Sequence, residues 1–164
     1  MDKQTLLLQI DYTRARLLGS LAGIEKSGAD VADALAWRPG PGRAHIAWQA
    51  MHCAATLDKY VNVNLLKGQP TDADLVARYG GGSTPADDGV PDLATIRSTL
   101  ESQFAAYRKF VEALSPDDLV TIVEFNNNVK RSIGESLLLL TWHEAHHQGQ
   151  IHLTWNLYKA ARGL

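Results

Sequence analysis

The 164 residues contain a single cysteine, Cys53, so no intrachain disulfide can form, which fits a reducing compartment. Charge of one sign is not in excess either. Sixteen Lys and Arg against 18 Asp and Glu give a formal charge of −2, and no Lys/Arg cluster stands out. Bulk electrostatics therefore draws the chain toward neither nucleic acid nor an acidic membrane surface. Long hydrophobic runs are missing too. The longest near the histidines is Leu137 to Leu140, far short of the roughly 20 residues a membrane span needs. Met1-Asp2-Lys3-Gln4 lacks the basic and apolar regions of a signal peptide. These absences lead us to expect a cytoplasmic protein with neither a nucleic-acid nor a membrane partner. What is present, 45% hydrophobic and 21% charged residues, is a globular balance, and the length suits one domain over 1–164. Internal repeats and low-complexity tracts are lacking.

Helical spacing dominates the rest. Leu6, Ile10, Leu17, Leu21 and Ile24 form one apolar stripe and predict a helix from Asp2 to Lys26. The two Pro-Gly pairs in Trp37-Arg38-Pro39-Gly40-Pro41-Gly42 then force a turn. A second helix is expected from Arg43 to Lys67. Ala47, Ala50, Ala54, Leu57, Val61 and Leu65 make its smooth side, and His45, Trp48, Gln49, His52, Thr56 and Lys59 the other. A large aromatic amid polar groups resembles the lining of a site more than a solvated face. Gly68 to Asp92 reads as a long connection, a lid or a linker, with a short helix over Asp72 to Tyr79. Leu93, Ile96, Leu100, Phe104, Tyr107, Val111 and Leu114 predict a third long helix, Asp92 to Leu114, ended by Ser115-Pro116-Asp117-Asp118. Val120 to Phe125 reads as a strand and Asn126-Asn127-Asn128 as a turn. Ser132-Ile133-Gly134-Glu135 has capping-box spacing, which predicts a fourth helix to Ala161 with Gly163 as its stop. Four long helices imply an all-α antiparallel four-helix bundle, with a short β-hairpin before the last helix.

His143 and His147 lie one turn apart on the side of the fourth helix read as inward. That spacing brings two imidazoles within reach of one metal ion. Such pairs also occur as core residues, each ring bonded to a carbonyl or a neighbouring side chain. A catalytic zinc takes three protein ligands, and His52, mid-helix on the polar side of the second helix, is the natural third. His45 is two turns before His52, roughly 10 Å of rise, which suits a pocket group better than a ligand. His146 points to the side and His152 away. His143-Glu144-Ala145-His146-His147 also matches the HExxH pattern of zinc proteases. The longer version of that pattern fails here: Gly149 and His152 are each one residue out of register, and the only methionines are Met1 and Met51.

Three stretches together resemble the DinB-like superfamily, which includes YfiT-type metal-dependent hydrolases and bacterial thiol S-transferases. They are Trp37-Arg38-Pro39-Gly40-Pro41-Gly42, Ala47-Trp48-Gln49-Ala50-Met51-His52-Cys53-Ala54 and His143-Glu144-Ala145-His146-His147-Gln148-Gly149-Gln150-Ile151. The last is similar to the family's H-x-x-x-H-x-G-Q-I signature. The resemblance implies a four-helix bundle whose metal, zinc or nickel, is held by His52, His143 and His147, and it implies a homodimer. Two functions follow as expectations: a metal-dependent hydrolase or thiol S-transferase acting on a small molecule, or a non-catalytic metal-stabilised bundle that binds a small molecule in stress response. A metal-free bundle with hydrogen-bonded histidines is the remaining reading. The candidates for proton transfer are His45 and Glu144, the latter about 100° off the ligand face.

Overall fold

Helix α1 of the computed structural model, which describes residues 2–125 and 128–164, covers Lys3–Glu25, where the Asp2 carboxylate caps the amides of Gln4 and Thr5. Its buried stripe contains every apolar position expected from the spacing, and one more residue, Arg14. A six-residue helix, α2 (Val31–Ala36), follows, capped by Asp30. It was not expected, being too short to show a period. The Pro-Gly turn then leads to α3, Ile46–Asp58, which starts three residues later than Arg43 because His45 serves as its N-cap. The helix does not run on regularly to Lys67: Lys59–Leu65 widens into a π turn. Helix α4 (Ala73–Tyr79) lies within the long connection and buries Leu75 and Tyr79 against the core. The connection is tied down further by Asp58, whose carboxylate accepts from Thr71 N and Asp72 N, each at 2.8 Å.

Helix α5 spans Leu93–Ala113. Ser115-Pro116-Asp117-Asp118 ends α5 but also opens a short helix, α6 (Pro116–Val120), through a complete capping box between Ser115 and Asp118. Val120 is therefore helical, and the strand expected from it shrinks to β1, Ile122–Glu124. This pairs antiparallel with β2, Lys130–Ser132, Val123 opposite Arg131. Of the expected Asn turn, Asn126 and Asn127 lie outside the described residues, and Asn128 adopts a left-handed φ of 60°. Helix α7 runs Ile133–Arg162, with the Ser132/Glu135 capping box at its start and left-handed Gly163 at its end.

The long helices α1, α3, α5 and α7 form the four-helix bundle, α3 lying against both α5 and α7, and α1 against α7 and α5. Helix α1 runs antiparallel to α5, Asp11 meeting Arg108 and Glu25 meeting Arg97, and α3 antiparallel to α7, Gln49 meeting Thr154 and His52 meeting His143. Helices α1 and α7 run parallel, Arg14 meeting Glu144 and Ser20 meeting Gln148, and so do α3 and α5, Ala50 clustering with Ile96 and Val61 with Tyr107. Its apolar interior falls into two clusters. One gathers Leu17, Leu21, Ile24, Leu100 and Ile151 with α2 and α4. The other gathers Leu6, Ile10, Leu57, Tyr107 and Leu140 near the hairpin. Arg14 sits between Ile10 and Leu17 on α1, and Glu144 between Leu140 and Ile151 on α7. Arg14 Nη2 donates to Glu144 Oε2 at 2.8 Å, with the residues 3% and 6% exposed, so a buried ion pair fills the gap between the clusters. Arg14 also lies over the Phe104 ring, 4.7 Å from its centroid.

The buried side of α7 corrects the orientation inferred from spacing. Leu137, Leu140, Glu144, Ile151, Trp155 and Tyr158 are buried, whereas Leu157, expected on the inner side, is 43% exposed. The core direction is rotated roughly 70° from His143 toward Glu144. His143 and His147 are thus half-buried at the edge of the core rather than at its centre. No described helix is long and apolar enough to cross a membrane.

Candidate metal centre

The structure brings His52, His143 and His147 together, offering one ligand atom each, all within 4.8 Å of one another. His52 Nε2 and His143 Nε2 are 3.1 Å apart. Nitrogens bound tetrahedrally at about 2.1 Å from one ion lie about 3.4 Å apart, so the donor set fits a metal with small adjustments. His147 Nδ1 is buried and has no hydrogen-bond partner. Such an orphan costs free energy, and an ion held among the rings is one way to satisfy it. Among the described residues, this is the group suited to hold a metal.

His52 is fixed from both sides. Its Nδ1 lies 2.5 Å from the carbonyl of Tyr79, an acceptor only, so Nδ1 carries the proton and Nε2 presents its lone pair to the cluster. Tyr79 is the last residue of α4, where helical carbonyls lack intrahelical partners, and the imidazole supplies one. The chain then leaves α4 through Gly80. A Cβ there would meet the Val76 carbonyl oxygen at 2.4 Å, so only glycine lets the Tyr79 carbonyl keep this position. On its face, His52 stacks on Trp48, centroids 4.6 Å apart and planes 9° from parallel.

Burial holds the imidazoles neutral, as metal ligands must be. It pulls His143 down to about 4, with the neighbouring His52 and His146 adding to the effect. His147 is pulled down to about 3 by burial and then by the other histidines. His52 is lowered by burial against the opposing hydrogen bond to Tyr79. Cys53, next to His52 in sequence, is fully buried in the apolar core and its thiol is pushed far up by desolvation, so it is no ligand.

The other candidates sit elsewhere. His45 Nδ1 accepts from the Trp48 amide at 3.0 Å, so Nε2 carries the proton and donates to the Ala86 carbonyl at 3.0 Å. Both nitrogens are engaged in capping α3 and tethering the loop. The Glu144 carboxylate is committed to Arg14 on α1, and burial raises its carboxyl above the usual range while Arg14 opposes the rise. His146 is exposed, stacked on Trp142 and bonded to Gln150, and His152 is bonded to Asn156.

A cavity of about 220 Å³ opens beside His52 and His143, walled by Thr56, Lys59, Tyr60, Asn64 and Gly81. Thr56 and Lys59 were legible on the polar side of the second helix. Tyr60 and Asn64 were not. Regular α spacing would carry Val63 onto the side of His52, and the extra residue of the π turn brings Asn64 there instead.

The sequence profile of the DinB superfamily matches residues 9–151. The chain belongs to the DinB superfamily. Its fold is also that of a solved structure described as the conserved protein of a locus from Enterococcus faecalis, with a TM-score of 0.76 at 18% identity over 96% of each chain. No curated protein matches the chain. Within this DinB fold, the helix-α7 segment from His143 to Ile151 and His52 on α3 are where the cluster forms.

Proposed function

We propose that His52, His143 and His147 hold a divalent ion, zinc or nickel, and that the protein is a metal-dependent hydrolase or thiol S-transferase acting on a small molecule. The observation that carries this is the convergence of three imidazoles, two of which, His52 and His143, line an open cavity. When bound, the ion supplies Lewis acidity that lowers the pKa of a water or thiol at its remaining position. The chain's own part is to keep His52 in one tautomer through Tyr79, to shield it with Trp48, and to shape the cavity with the π turn.

Of the two chemistries, thiol transfer is the better supported. Hydrolysis gains from a free protein base, and His45 and Glu144 are both engaged. A thiol that coordinates a cation loses its proton without one. The same engagement favours a second reading, a non-catalytic metal-stabilised bundle that binds a small molecule. Assay of the metal-loaded protein with thiols plus electrophiles, and with esters, separates these readings. Turnover abolished by His143→Ala supports the enzyme, and no turnover across a broad panel leaves the binding protein.

The homodimer expected from the family is assigned in this proposal to the outer face of α1 and α7, where Leu8, Tyr12, Leu138 and Trp142 are exposed around one groove. Light scattering should give twice the 17.9 kDa chain mass, returning to one chain in Trp142→Lys.

A further inference from the structure

The walls of the cavity beside His52 and His143 are uniform in one respect: they offer donors and no carboxylate. Thr56 brings a hydroxyl, Asn64 an amide, Lys59 an ammonium and Tyr60 a phenol, and no Asp or Glu joins them. Among the described residues the Lys59 ammonium makes neither an ion pair nor a side-chain hydrogen bond to the protein, although seven ion pairs occur elsewhere. The Tyr60 oxygen already accepts a hydrogen bond, from Arg131 Nη1 on β2 at 3.0 Å. That leaves the Tyr60 hydroxyl hydrogen to be donated, and the guanidinium behind it makes it a better donor. One cationic side chain, Lys59, therefore lines a space whose wall holds no carboxylate, and Arg131, outside that wall, polarises the Tyr60 hydroxyl.

The placement depends on local backbone geometry. Lys59 and Tyr60 open the π turn and Asn64 lies near its end. Such wide turns are rare and tend to occur where a helix is re-phased for a site. The widening here is what substitutes the Asn64 amide for an aliphatic side chain in the cavity wall.

We infer that this cavity receives an anionic tail, of the carboxylate class, on the ligand whose other end reaches the histidine cluster, with Lys59, Tyr60 and Asn64 as its specificity-determining residues. The inference rests on the metal reading for the first anchor only. The second anchor is the charge complement of the wall. A cationic tail would meet Lys59 with like charge, and a neutral one would gain no ion pair.

The test uses cobalt(II) in the full-length protein and two small thiols of similar size, mercaptoacetate and cysteamine, which differ in the sign of the tail. Binding is read from the cobalt–thiolate absorption band. Wild type should hold mercaptoacetate about ten-fold more tightly than cysteamine, the scale of one charge-assisted hydrogen-bonded contact. Lys59→Gln should bring the two within about two-fold with cobalt uptake unchanged. Tyr60→Phe should weaken mercaptoacetate and leave cysteamine as it was. Equal affinities in wild type, or a preference that survives Lys59→Gln, would overturn the inference. Cobalt uptake is measured separately, so failure of the metal site is seen as such. The anion site is then decided in the metal-free protein by backbone amide shifts. Shifts on adding mercaptoacetate but not cysteamine, confined to residues 56–64 and Gly81, sustain it, and their absence overturns it.

Discussion

Replacing Glu144 by leucine should damage the fold far more than a change on the helix next to His143 would suggest. The substitution leaves the Arg14 side chain, buried between two apolar clusters, with no carboxylate facing it. Arginine cannot shed its charge by losing a proton, and breaking a buried pair by removing one partner costs about 3–5 kcal/mol. Two further guanidinium nitrogens, Nε and Nη1, are already buried without partners in the protein, so Arg14 has nowhere else to turn. At about 2 cal/mol/K of unfolding entropy per residue, that loss in a 164-residue chain lowers the melting temperature by roughly 10 °C. Arg14→Met should cost less, because the stranded carboxylate can protonate, and its penalty should shrink between pH 7 and pH 5 while that of Glu144→Leu does not. The double variant Arg14→Met, Glu144→Leu should regain most of the loss, since an apolar pair of similar volume is compatible with the neighbouring clusters. Urea unfolding of the four proteins gives the coupling energy directly. A cost below about 1 kcal/mol for Glu144→Leu, or no recovery in the double variant, would refute the reading of this pair as a buried structural bridge.

Three other outcomes follow. Gly80→Ala should displace the Tyr79 carbonyl, because its Cβ would lie 2.4 Å from the Val76 oxygen, and should weaken metal affinity about ten-fold or more by freeing the His52 ring, measured by competition with a chelator. The metal-free protein should lose stability as pH falls. His143 and His147, held down to about 4 and about 3, stay neutral in the fold while the unfolded chain takes protons from about 6.5. Stability is therefore full above pH 6.5 and declines toward pH 4, and a melting temperature flat across that window contradicts this. Metal uptake at pH 7 should release fewer than about one proton per ion, since the folded imidazoles are already deprotonated, as proton-release measurements in weak buffer would show.

Much of the bundle could be read from spacing because its stripes are uninterrupted where packing is purely apolar: Leu93 to Val111 on α5 is the plainest case, and the Ser132/Glu135 box marked the start of α7 to the residue. The polar layer could not be read in this way. Arg14 and Glu144 each occupy a core position of a stripe, but a charge there reads as a break until its partner, 130 residues away, is known. The same hidden pair explains the misjudged face of α7: Glu144, about 100° off the histidine side, was weighed for proton transfer and not for the core, so the core direction was centred on the histidines. The three imidazoles could be grouped from helix angle because two lie on one helix at ligand spacing and the third beside an aromatic. Tyr60, Asn64 and Gly81 could not. A π turn leaves no periodic trace in seven residues, and loop residues reach the cavity only through the docking of α4. The helices α2 and α6 escaped notice because five or six residues carry no period, although the Ser115/Asp118 box in front of α6 was a usable signal.

The central claim is that one ion sits among His52, His143 and His147. Elemental mass spectrometry on protein purified without a metal column, alongside His52→Ala and His143→Ala, tests it most directly. The account predicts close to one zinc or nickel per wild-type chain and its loss from both variants while helical circular dichroism is retained. A wild type that carries no divalent ion and takes up none when it is added, or variants that keep the ion in full, would contradict it.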